Sequence, residues 1–111
     1  MTLINIALQG GDNNTLSTGG IYNGNPPTGT NLLSPAEANG PNWSKDLVPG
    51  AYTFQVDATA PAGANLTLAV TNAATNAGPQ AVTVPMTGQA GTQVRDIKNG
   101  PFTIATDGGV S

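Results

Sequence analysis

The chain has 111 residues, which suits one domain, and nine formally charged side chains, three basic against six acidic. It has neither cysteine nor histidine, which excludes disulfides, thiolate metal sites and every acid–base site built on an imidazole. A net charge of −3 speaks against nucleic acid, whose phosphates need clustered Lys and Arg, and against docking on an anionic membrane.

The start, Met1-Thr2-Leu3-Ile4-Asn5-Ile6-Ala7-Leu8-Gln9, has no basic region of the kind that opens a signal peptide. No apolar run is long enough to span a bilayer. Synthesis in a cytoplasm is therefore expected. Residues 3–8 read as a strand, because Ile4, Ile6 and Leu8 share one face at period two. From Gly10 to about Asn31 the chain is rich in Gly, Asn and Thr, with Pro26-Pro27 in the middle, and neither helical nor strand periodicity survives. So long a structureless stretch is uncommon inside a domain. It predicts an extended arm that orders on a partner, or a surface loop. Asn13, Asn42 and Asn65 each begin an Asn-x-Ser/Thr triplet, read as chance in an Asn/Thr-rich chain.

Ser34-Pro35-Ala36-Glu37 carries a helix-start signature: Ser34 caps, Pro35 suits the first helical position and Glu37 reaches back to the Ser34 amide. Asn39-Gly40-Pro41 stops it after one turn. Leu32 and Leu33 are expected to anchor that turn on the core. Val48-Pro49-Gly50 is a turn signal. Ala51 to Ala58 then alternates, with Tyr52, Phe54 and Val56 on one face and Thr53, Gln55 and Asp57 on the other. Pro61-Ala62-Gly63 turns the chain. Asn65 to Asn72 places Leu66, Leu68 and Val70 inward, and Asn76-Ala77-Gly78-Pro79 breaks that strand. Ala81 to Met86 points Val82, Val84 and Met86 inward. A weaker strand, Thr92 to Ile97, is built on Val94. Asn99-Gly100-Pro101 reads as a turn, Pro101 to Thr106 as a last strand, and Asp107-Gly108-Gly109 as the end of ordered structure.

Short alternating strands with turns every 8–12 residues predict an all-β fold: a small antiparallel β-sandwich or jelly-roll-like barrel of about six or seven strands. Residues 1–31 supply the first strand and the long polar N-terminal arm or loop; residues 32–111 form the sandwich, in one unit with that strand. Phe54 and Phe102 are its expected large core members.

Without His or Cys no Ser–His–Asp or Cys–His site is possible. Nothing brings two carboxylates together as acid and base. Asp12-Asn13-Asn14-Thr15 faintly resembles a calcium loop, but it lacks the Gly and closing Glu of that motif and reads as turn chemistry. No enzyme activity, cofactor or metal is expected. The candidate partner-binding residues are Trp43 and Tyr22, together with Ile4 and Ile6 in a first strand able to add to a neighbouring sheet. Trp43 reads as part of a loop, between Asn42 and Ser44; exposed there it would stack on a sugar or fill a pocket on a partner, and the alternative is a lid over the core edge.

The text Leu47-Val48-Pro49-Gly50-Ala51-Tyr52-Thr53-Phe54, continued by Ala58-Thr59, Ala64-Asn65-Leu66-Thr67-Leu68, Val82-Thr83-Val84, Gly100-Pro101-Phe102-Thr103-Ile104 and Gly108-Gly109, resembles small β-sandwich virion structural proteins of tailed bacteriophages. The resemblance covers roughly residues 47–109; residues 1–46 lie outside it. It implies a non-catalytic virion component, foremost a capsid decoration protein that binds the major capsid protein and stabilises the shell, with trimers or monomers both compatible. A low-charge surface suits such dense packing. The alternative expectation is a carbohydrate-binding or receptor-binding β-sandwich module, for which Trp43, Tyr22 and Tyr52 are the aromatic candidates.

Overall fold

The alternation at period two becomes two antiparallel sheets facing each other. The computed structural model describes residues 1–12, 14–78 and 80–111. Seven strands lie among them: β1 Thr2–Gln9, β2 Leu16–Asn23, β3 Asn42–Leu47, β4 Gly50–Pro61, β5 Asn65–Asn72, β6 Gln80–Pro85 and β7 Gln93–Ile104. One sheet runs in the order β3-β1-β5-β6, the other β2-β4-β7. The expected all-β sandwich is what forms. Asn13, which opens one of the three triplets, and Pro79 of the expected strand breaker lie outside the described residues.

The core is the apolar stripe of each strand. Ile4 and Ile6 of β1 and Leu66, Leu68 and Val70 of β5 meet Tyr52, Phe54 and Val56 of β4, all buried. Aliphatic side chains fill most of the interior, with two aromatic contacts: Trp43 tilts at 59° on Phe54 with ring centroids 4.9 Å apart, and Tyr52 stacks on Phe102 at 5.6 Å. Thr53 keeps its outward phase but is covered there by the chain at Gly24. It is buried, and its hydroxyl donates to the Gly24 carbonyl at 2.6 Å, which satisfies a polar group that burial would otherwise penalise.

Four expectations are corrected. The first concerns the stretch 10–31, which is no extended arm: it contains β2, paired with β4 from Leu16↔Thr59 to Asn23↔Tyr52. Alternation was hidden because the inward phase there holds Gly19 beside Ile21. A Cβ on Gly19 would lie 2.5 Å from Phe54 Cζ and 2.8 Å from Trp43 Nε1, so glycine is a packing requirement within the strand. Residues 31–40 then run along the outer edge of β2. The Gly19 amide donates to the Ala38 carbonyl at 2.7 Å and Leu32 to Ile21 at 2.8 Å, while Gly40 donates to Ser17 at 3.0 Å.

Second, Asn99-Gly100-Pro101 is not a turn. It lies inside β7, with Gly100 opposite Phe54 and Pro101 opposite Thr53. Since β7 is the last strand of its sheet, a residue without an N–H is tolerated there. Third, order does not end at Asp107. The chain reverses at Gly108 (φ 87°), and Ser111 exchanges two backbone bonds with Thr103, at 2.9 and 3.0 Å. Fourth, Ser34–Glu37 makes a single turn and no helix: the Ser34 amide donates to Glu37 Oε1 at 2.9 Å, as the capping signature predicts. Leu33 is buried beside it.

Candidate functional site

Three of the four candidate contact residues belong to the interior. Ile4 and Ile6 are 0% and 1% exposed and Trp43 3%, so a partner would have to open the sandwich to reach them. These assignments are corrected. Trp43 sits in β3 and not in a loop; its indole Nε1 donates to the Ala38 carbonyl at 2.8 Å and closes the core edge as a lid. Tyr52, the other aromatic candidate, is buried with its hydroxyl donating to the Val48 carbonyl at 2.6 Å, and burial raises its pKa. Tyr22 alone of the four lies outside the core, half-buried on β2.

Two ion pairs form among the described residues. Arg95 grips Asp57 with two hydrogen bonds, Nε to Oδ1 at 2.9 Å and Nη2 to Oδ2 at 2.6 Å. Those bonds hold the Asp57 carboxyl below its usual range and raise the Arg95 guanidinium. Glu37 is lowered chiefly by the Ser34 amide and next by Lys45, which lies 3.2 Å away. Among the described residues no group of three or more Asp or Glu comes together as a metal site. Every buried side-chain nitrogen or oxygen among them has a hydrogen-bond partner.

What the surface offers is a pole and open edges. At the end where β1 begins and β3 finishes, Thr2 pairs with Leu47, which sets Met1 beside Val48. Met1, Leu3 and Val48 are 84%, 45% and 55% exposed. They adjoin a shallow depression of about 550 Å³ bounded by Pro49, Ala73 and Asp107. Three large aliphatics therefore stand exposed at one end of the molecule. The legible signal was the Leu3-Ile4 pair, since two successive apolar residues in a strand put one on each face. β3 is the last strand of its sheet, and Lys45 and Asp46 lie along it, a common guard against unwanted strand pairing.

No known family, curated protein or solved structure matches the chain.

Proposed function

We propose that the protein is a non-catalytic structural component of a tailed-phage virion, a capsid decoration protein that docks on the outer shell through its apolar pole. The observation that carries the reading is the pole itself, where Met1, Leu3 and Val48 stand exposed at one end of a molecule whose buried side-chain polar atoms, among the described residues, are all hydrogen-bonded. The resemblance of residues 47–109 to virion β-sandwiches supplies the partner, the major capsid protein.

The physics suits the role. A rigid sandwich loses little conformational freedom on docking, so burial of a few aliphatics counts nearly in full. Many copies on a symmetric shell, each touching neighbouring subunits, add weak contacts through effective concentration. Low net charge limits repulsion between adjacent copies.

The test is co-sedimentation with purified heads of the parent virus. Wild-type protein is expected in the head fraction, and Leu3→Asp or Val48→Asp in the supernatant with an unchanged melting temperature. A folded protein that ignores those heads, or pole variants that bind as wild type does, would overturn the proposal.

A further inference from the structure

We propose that the outer face of the three-stranded sheet, around Tyr22, binds a neutral oligosaccharide. This goes beyond the virion reading and uses a different surface from the pole.

The site is built on a glycine. Residues paired across an antiparallel sheet share a face, so Gly20, Gln55 and Asn99 form one outward row across β2, β4 and β7, and Tyr22 begins the next, in which Thr53 is covered by the chain at Gly24. The Tyr22 ring leans over Gly20. A Cβ on Gly20 would stand 2.8 Å from Tyr22 Cε2 and 3.1 Å from the Tyr22 hydroxyl. The missing side chain lets the ring lie down along the sheet instead of standing away from it.

Beside the ring sits a donor fixed in place. Asn31 Oδ1 accepts from the backbone amides of Ile21 at 2.9 Å and Leu33 at 3.0 Å. The other half of the same amide, Nδ2, is therefore turned toward Gly20, 3.1 Å from the same Cβ position, and donates to no protein group among the described residues. On the other side Gln55 Nε2 donates to Asn99 Oδ1 at 3.1 Å, which leaves Gln55 Oε1 as an acceptor and Asn99 Nδ2 as a donor.

An aromatic side chain with an amide donor beside it and further amide groups on the two neighbouring strands matches a pyranose, which presents C–H groups on its flat face and hydroxyls at its rim. Charge complementarity selects an uncharged sugar. The charged groups beside these rows are Asp57 and Arg95, which neutralise each other in their paired grip. The chain's net −3 disfavours acidic glycans. A nucleic acid would need clustered, unpaired cations, whereas Arg95 is held by Asp57, and a peptide strand would seek a sheet edge rather than a face.

The experiment is an NMR titration of the isotopically labelled full chain with cellohexaose, xylohexaose, chitohexaose and maltohexaose, and with an oligosialic acid. At least one neutral sugar should shift the side-chain amides of Asn31, Gln55 and Asn99. Tyr22→Ala should weaken that binding about tenfold or more, equivalent to about 1.4 kcal/mol, while Tyr22→Phe stays within about threefold. Thermal melts confirm folding of each variant. No shift by any neutral sugar up to about 10 mM, binding indifferent to Tyr22→Ala, or binding of the acidic sugar alone would overturn the proposal. Head co-sedimentation of Tyr22→Ala should match wild type, which keeps this test separate from that of the pole.

Discussion

Gly19→Ala places one methyl where two rings already meet. The added carbon would lie 2.5 Å from Phe54 Cζ and 2.8 Å from both Trp43 Cε2 and Nε1, well inside van der Waals contact. Neither ring has room to retreat, since Phe54 is 0% and Trp43 3% exposed. Overpacking of this kind costs about 1–3 kcal/mol. If the indole moves, its bond to the Ala38 carbonyl is lost as well, a further loss of about 1 kcal/mol. The expected destabilisation is therefore about 2–4 kcal/mol, or about 9–17 °C in melting temperature for a chain of this length. Trp43 is the one tryptophan, so urea titration followed by its fluorescence reads both stability and the environment of the displaced ring. The decisive control is Gly19→Ala combined with Phe54→Leu. Shortening the ring makes space for the methyl, so the double variant should be more stable than the sum of the single losses predicts. A loss under about 1 kcal/mol for Gly19→Ala, or strict additivity, would refute the packing argument.

Phe54→Ala should cost about 3–5 kcal/mol by denaturant titration, because the ring is fully buried between the sheets; a loss under 1 kcal/mol would contradict the phase of β4. Tyr52→Phe removes the donor to the Val48 carbonyl and should cost about 1 kcal/mol, read by the same titration. The Asp57–Arg95 pair sets an acid dependence. Its carboxyl is lowered in the folded state, so the stabilisation is complete above the unfolded value and is lost as pH falls through the folded one, below about pH 4. Arg95 is 66% exposed, so solvent screening keeps the effect small. Asp57→Asn should flatten that part of a stability–pH curve measured by thermal melts, and an unchanged slope would count against the pair.

The strands that alternate cleanly were legible without coordinates. β1, β4 and β5 carry large aliphatic or aromatic residues at every second position, and period two has one structural meaning there. β2 was illegible because its inward phase spends one position on Gly19, and the volume is supplied by Trp43 and Phe54 from elsewhere in the chain. Turn residues misled in β7 for a related reason. Asn99-Gly100-Pro101 has turn chemistry locally, but twelve register pairs with β4 override local preference. The strand that holds Trp43 is hard to see in the sequence, since the six residues of β3 alternate weakly. The pole and the Tyr22 site depend on which residues become neighbours across strands, and no local pattern encodes that.

The sandwich is also a rod. Its principal extents are 46 × 27 × 24 Å, and a twelve-residue strand such as β4 covers about 40 Å, so the long axis follows the strands. β1 begins at the aliphatic end, and the turns at Pro61–Gly63 and Gln89–Thr92, joined by the Ala62 amide donating to the Thr92 carbonyl at 3.0 Å, close the opposite one. A peptide tag inserted after Gly91, with that glycine kept for its φ of 83°, would stand the full length of the molecule away from Leu3 and Val48.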